Sequence, residues 1–220
     1  MQVEWYGQSA FRLSDGEVTV VVDPFDVAAF GGRGIRWDYP AITGVEAQLL
    51  LVTHEHRDHN AVAVVGGSPV VLRSTAGTHE SPVGEVTGVA SEHDDVAGTR
   101  RGPNTIFAFT FGGLRVAHFG DFGQAALRPE QLAALGAVDL LFVPVGGGPT
   151  IGAEQALVIA KQLRARIIVP MHYRTARIDF LDPLDRFVAG AARVQRVDGA
   201  AFDTDGVAAT GPTVVVPAAP

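Results

Sequence analysis

The apolar run Leu49–Val52 ends directly on Thr53-His54-Glu55-His56-Arg57-Asp58-His59-Asn60. An unbroken Leu/Val run of that length reads as a strand covered on both faces. The fold must therefore place three of the chain's seven histidines, with an aspartate among them, at the mouth of a buried strand. In extended backbone alternate side chains share one side, so His54 and His56 project together, and the turn that follows swings Asp58 and His59 toward a neighbouring point. That spacing supplies two adjacent sets of metal ligands. A solvated loop that happens to be His-rich is the plain alternative, and the buried strand leading straight into it argues against that.

Composition narrows what such a site can be. Cysteine is absent, which excludes disulfides, thiol catalysis, Fe–S clusters and Cys-ligated zinc together. Any metal is held by imidazole and carboxylate. With 17 Lys+Arg against 24 Asp+Glu and a net charge of -7, the chain is poorly matched to nucleic acid or anionic lipid, and a small-molecule substrate is expected instead. A 47% hydrophobic, 19% charged make-up is that of a core-building globule, and 220 residues suit one domain spanning 1–220. Met1–Phe11 has neither the basic start nor the apolar stretch of a secretory signal, and the longest apolar runs are strand-sized. A cytoplasmic protein that does not enter membranes is expected, with a homo-oligomer left open.

The first half reads as β-structure. Val3–Tyr6, Phe11–Leu13 and Val18–Val22 are short β-rich runs broken by Gly7, Ser14-Asp15-Gly16 and Asp23-Pro24, a meander of antiparallel strands. Phe25–Pro40, Gly-rich and aromatic, reads as a loop and a candidate lid. Val70–Arg73, Glu85–Ala90, Thr105–Phe111 and Leu114–Phe119 are further strands, the last two joined by a Gly112-Gly113 hairpin turn, whereas Ser74–Pro82, with His79, reads as a loop. After Asp121 strand and helix alternate: helices at Arg128–Leu135, Ala153–Leu163 and Leu184–Ala189, buried strands at Val138–Val145 and Ile167–Val169, and an edge strand at Thr213–Val216. This is an α/β pattern.

The other acids and histidines also fall where strands end. His93 follows Glu85–Ala90, Asp121 follows Leu114–Phe119, and His172 follows Ile167–Val169. Loops at one edge of a rigid sheet are an economical way to gather residues distant in sequence.

Thr53-His54-Glu55-His56-Arg57-Asp58-His59 matches the H-x-H-x-D-H signature, and the chain thereby resembles the metallo-β-lactamase superfamily. His93, Gly120-Asp121 and Pro170-Met171-His172 follow in the same order, and Tyr6–Phe11 with Val22-Asp23-Pro24 resembles its opening strands. Pro144–Gly147 and Met171-His172-Tyr173 are most similar to the compact branch of uncharacterised metal-dependent hydrolases and ascorbate-phosphate lactonases. The resemblance covers roughly residues 2 to 180 and implies a four-layer αββα sandwich, two mixed β-sheets flanked by helices, with metals at one edge. It assigns His54, His56 and His93 to a first metal, Asp58, His59 and His172 to a second, and Asp121 with a bridging water or hydroxide to both. Two divalent ions, zinc first and manganese or iron after it, suit these ligands. The hydroxide would be the nucleophile, with Asp58 and His59 as the catalytic side chains and Asp58 assisting proton transfer. Gln8 departs from the branch, many members of which carry histidine there, and Gly148 stands where many carry a bulkier residue.

Outside that set, His118 reads as packed behind the site, and Gly146–Gly148, which lacks P-loop spacing, as a turn. The N-terminal amides of the following helix are a further candidate for an anionic group. Arg174, Tyr173 and Arg100, the last with Arg101, are candidate clamps for an anionic substrate. The leading function is hydrolysis of an ester, lactone, amide or phosphodiester of a small metabolite. A non-hydrolytic di-metal protein, a di-iron redox or sensor domain, is the alternative from another class.

Overall fold

A computed structural model describes residues 1–30, 36–207 and 211–220. Period-two alternation builds the first sheet: Val3, Trp5, Phe11, Leu13, Val20 and Val22 turn to one face of strands Gln2–Gly7, Ala10–Ser14 and Thr19–Val22, and all are buried. These three strands form the expected antiparallel meander. Leu49–Val52 and Val70–Arg73 continue the sheet in parallel, and Ala201–Asp203 closes its other edge.

The second sheet runs in the order Val194–Arg196, Thr213–Val216, Ile167–Met171, Leu140–Pro144, Leu114–His118, Pro103–Phe111, Gly84–Glu92 and Gly77–Ser81. Its first four contacts are parallel and its last three antiparallel. Leu140–Pro144 and Ile167–Met171 are buried at every position, because the first sheet covers one face and helices cover the other. Those helices are α1 (Pro129–Leu135), α2 (Ala153–Gln162) and α3 (Asp185–Ala189). Leu135, Ala156, Ile159 and Phe187 extend the inter-sheet core outward through them. Each large side chain so buried contributes about 1.5–3 kcal/mol.

The two mixed sheets thus pack face to face as expected. On the outside of the first sheet, the 3-10 turn Val62–Val64 and the ribbon Val45–Glu46/Val65–Gly66 cover Val21 and Leu50. That outer layer is thinner than the helical one opposite.

Three expectations change. Thr213–Val216 is an interior strand with buried side chains, and Val194–Arg196 takes the edge. Ser74–Pro82 contains the strand Gly77–Ser81, and His79 lies on it beside Thr75 rather than in a loop. As an edge strand with mostly solvated faces, it lacks an apolar alternation to reveal it. In the Phe25–Pro40 segment, Phe25, Phe30, Trp37 and Tyr39 pack with Ile178 and Leu181, so its aromatics form a satellite core. Residues 31–35, with Gly31, Gly32 and Gly34, lie outside the described residues. Among the described residues no helix is long and apolar enough to cross a membrane.

Strand direction places the site. Gln2–Gly7, Thr19–Val22 and Leu49–Val52 run the same way in the first sheet, and Gly84–Glu92, Leu114–His118, Leu140–Pro144 and Ile167–Met171 run the same way in the second. Their carboxyl ends deliver Gln8, Asp23, His54, His93, Asp121, Gly146 and His172.

Candidate metal centre

Asp121 is the meeting point. Its Oδ2 lies 3.0 Å from His93 Nε2, 3.3 Å from His172 Nε2 and 4.0 Å from His54 Nε2, and its Oδ1 lies 3.3 Å from His59 Nε2. Four imidazoles from three separate loops therefore face one buried carboxylate. Asp58 Oδ2 is 3.5 Å from His59 Nε2, and His56 Nδ1 is 3.1 Å from His54 Nε2. Three overlapping donor sets result: His54, His56 and His93; His54, His59 and Asp121; and Asp58, Asp121 and His172, with the donor atoms of each set within 4.8 Å of one another. All seven residues singled out as ligands in the sequence come together. The first set coincides with the first-metal assignment, and Asp121 belongs to both others, as a bridging group must.

Close backbone approach makes the convergence feasible. Gly120 has φ +54°, and a Cβ there would lie 2.5 Å from Thr53 Oγ1 and Asn104 Oδ1, so only glycine lets the Asp121 loop rest on the His54 loop. Likewise a Cβ on Gly146 would collide with the His172 carbonyl oxygen. The glycine run forms a turn, with Gly147 and Gly148 at φ +59° and +61°. The Gly152 amide at the start of α2 is capped by Gln155 Oε1, 3.2 Å away.

Nitrogen partners fix which face of each imidazole looks inward. His59 Nδ1 is 2.9 Å from Asp23 Oδ2, His93 Nδ1 is 3.0 Å from the Pro149 carbonyl, and His54 Nδ1 is 3.1 Å from Thr53 Oγ1. Thr53 Oγ1–H in turn donates to Asp23 Oδ2 at 2.7 Å. Each of these contacts leaves Nε2 directed at Asp121. His59 Nε2 is buried with the Asp58 and Asp121 carboxylate oxygens beside it yet makes no hydrogen bond, which leaves that position open to a cation. The donor set of neutral imidazoles and carboxylates fits zinc, manganese or iron.

Ser9 Oγ–H donates to Asp121 Oδ1 (3.2 Å), and the Asp121 amide donates to Asn104 Oδ1 (3.1 Å). His118 belongs to none of these donor sets: Gly120 N–H donates to its Nδ1 at 3.2 Å, and its Nε2 is 2.9 Å from the Ser9 carbonyl. It braces the Ser9 turn. His79 belongs to none of the donor sets. Asp23, Ser9, Asn104 and the Pro149 carbonyl were not singled out as site groups. Asp23 carried a usable signal, since it stands at a buried strand exit as His54 does; a backbone carbonyl carries none.

The candidate substrate clamps fare differently. Tyr173 is buried, its ring 5.4 Å from Trp5 and inside the main core, so it is a packing residue and not a clamp. Arg174 is exposed, but its Nε–H donates to the Leu181 carbonyl at 2.6 Å, which ties it to its own loop. Arg100 and Arg101 line a polar cavity of about 620 Å³ together with Asp95, Gly123, Pro149 and Gln155. Pro149, which orients His93, is shared between that cavity and the centre. Asp94 shapes the loop by accepting from the amides of Val96, Gly98, Arg100 and Arg101.

Burial, reinforced by the neighbouring His59, pushes the His54 imidazole down to about 2, and burial likewise lowers His118. Burial also disfavours charge on His59, but the Asp121, Asp58 and Asp23 carboxylates overcome it and hold that pKa well above the ordinary imidazole value. Burial raises Asp58, yet His59 more than offsets this and keeps it at about 2. A pH optimum of stability follows for the metal-free protein. Below about 6.5 the unfolded chain protonates His54 and His118 while the native chain does not, so stability falls with falling pH, by up to about 1.4 kcal/mol per pH unit for each. Above about 6.5 the extra stability from charged His59 is lost as pH rises through its native pKa. Calorimetry in chelator is expected to give a melting maximum between pH 6 and 7; a melting temperature that rises from pH 6.5 to 4.5 would contradict the assignment.

Residues 2–172 match the family described as Beta-lactamase superfamily domain. A UPF0173 metal-dependent hydrolase of Methylobacterium nodulans is 33% identical over 210 residues, covering 79% of this chain and 85% of the relative. Its counterpart in Heliobacterium modesticaldum is 30% identical over 211 residues, covering 80% and 83%. Among solved structures, a Thermotoga maritima protein of the metallo-beta-lactamase superfamily, described as a candidate zinc-dependent hydrolase, superposes with a TM-score of 0.80 at 31% identity over 98% of this chain and 97% of that one.

Proposed function

This chain belongs to the metallo-β-lactamase superfamily as a metal-dependent hydrolase, and from that premise we propose that it works with two divalent cations, zinc foremost, on a small anionic metabolite carrying an ester, lactone, amide or phosphodiester bond. The observation that carries the two-cation reading is the sharing of Asp121 between two donor sets that otherwise have no residue in common, His54 with His59 in one and Asp58 with His172 in the other. His54, His56 and His93 would hold one cation, and Asp58, His59 and His172 the other, with Asp121 between them. When bound, such a pair lowers the pKa of a shared water toward neutrality and polarises the scissile bond.

The protein's own groups supply the rest. Asp58 is the one carboxylate of the centre that is only partly buried, and we assign it the proton transfer to the leaving group, with His59 fixing its carboxylate. Arg100, beside Arg101 in the cavity next to His93, replaces Arg174 and Tyr173 as the group that receives a substrate anion. The -7 charge and the lack of cysteine favour a small-molecule substrate and a cytoplasmic setting over nucleic acid.

Zinc- or manganese-loaded protein assayed against panels of lactones, phosphodiesters and amides tests the proposal. Metal-dependent turnover of one class, lost on chelation and restored by the metal, is expected. A visible iron chromophore with no hydrolysis across the panels would transfer the protein to the redox alternative.

A further inference from the structure

Gln8 is 1% exposed, and neither Oε1 nor Nε2 of its carboxamide has a hydrogen-bond partner. Leaving such a group unpaired costs about 1–3 kcal/mol, so a buried amide with both ends free marks a place with a job to do. Its backbone is held on several sides: the carbonyl accepts from Trp5 Nε1 at 2.9 Å and from the His172 amide at 3.4 Å. The next residue, Ser9, contacts Asp121 and His118. Both Gln8 and His172 sit in the left-handed region, at φ +48° and +51°, a conformation that persists only where surroundings enforce it.

His172 presents the matching deficit. Its Nε2 faces Asp121 at 3.3 Å, while its Nδ1 is buried without a partner. The other three imidazoles whose Nε2 faces Asp121 each have an oxygen at Nδ1, supplied by Thr53, Asp23 and Pro149. A ligand histidine that donates through its remote N–H is held in tautomer and orientation. His172 lacks that oxygen, and the residue meeting its backbone carries a free amide oxygen.

We propose that Gln8 is the positioning residue for His172: its Oε1 accepts from His172 Nδ1–H when the centre is loaded, holding Nε2 on the cation shared with Asp58 and Asp121. The pairing leaves the Gln8 Nε2 hydrogens for a polar group entering beside that cation. This inference rests on the two-cation reading above.

Zinc titration of metal-free protein against a chromophoric chelator separates the two. Wild-type protein is expected to bind in two steps. Gln8→Leu is expected to weaken one step about 10–100-fold and leave the other unchanged, and Gln8→Glu, which keeps an acceptor oxygen, to restore it. No zinc uptake by wild-type protein would overturn the two-cation reading itself. Two wild-type steps with Gln8→Leu unaltered, or with both steps weakened equally, would overturn the role of Gln8 alone. Should Gln8→Leu fail to fold, nitrogen NMR of zinc-loaded wild-type protein decides the matter. An Nδ1-bound proton on His172 with a nuclear Overhauser contact to the Gln8 side chain is expected, and its absence would overturn the proposal.

Discussion

Asp121→Ala is expected to abolish turnover and to leave at most one metal per chain. The carboxylate lies within 4.0 Å of four imidazole nitrogens, and no other acid in the centre reaches both halves: Asp58 belongs to one donor set, while Asp121 belongs to two. Removing it deletes the carboxylate that the proposed two-cation reading places between the metals and frees Ser9 Oγ. Removing a single preorganised stabilising group at a reacting centre typically costs about 10²–10³-fold in rate. Full metal loss would take turnover below detection. Elemental analysis by mass spectrometry alongside circular dichroism checks this, and a folded Asp121→Ala protein that retains two metals would remove Asp121 from the centre.

Asp23→Ala produces the largest expected loss of stability. Asp23 accepts from the Thr53 amide at 2.8 Å and the Thr53 hydroxyl at 2.7 Å, and lies 2.9 Å from His59 Nδ1. Truncation orphans all three donors in a fully buried place, and at about 1–3 kcal/mol per orphaned group the protein loses about 3–5 kcal/mol or more. That is a large part of the about 5–15 kcal/mol that typically holds a domain folded. Because Asp23 also sets the His59 tautomer, metal affinity falls about 10–100-fold. Asp23→Asn, which keeps one oxygen, falls between. Urea denaturation and zinc titration measure the two effects separately; a variant with unchanged midpoint and affinity would show that Asp23 merely fills space.

Much of this centre was legible from sequence because its residues obey one local rule. The residue that opens each of its loops stands just past a strand-like run bounded by turn residues, a signal a single chain can offer. His54, His93, Asp121 and His172 are all legible that way. The signal fails where chemistry is carried by backbone or by a residue with an ordinary structural excuse. Pro149 contributes a carbonyl, and Asp23 in Asp23-Pro24 looks like a strand stop. Tyr173 erred in the other direction: adjacency to His172 suggested a clamp, but Tyr173 is buried in the main core like the strand before it, and its ring stacks beside Trp5. Solvated edges such as Gly77–Ser81 escaped because a strand with little to bury needs no hydrophobic period.

The most direct test of the account is anomalous X-ray diffraction from crystals of zinc-loaded protein. Two zinc peaks are expected, one coordinated by His54, His56 and His93 and one by Asp58, His59 and His172, with Asp121 reaching both and ligand distances of about 2.0–2.2 Å. A single peak elsewhere on the surface, or none beside Asp121, would contradict it.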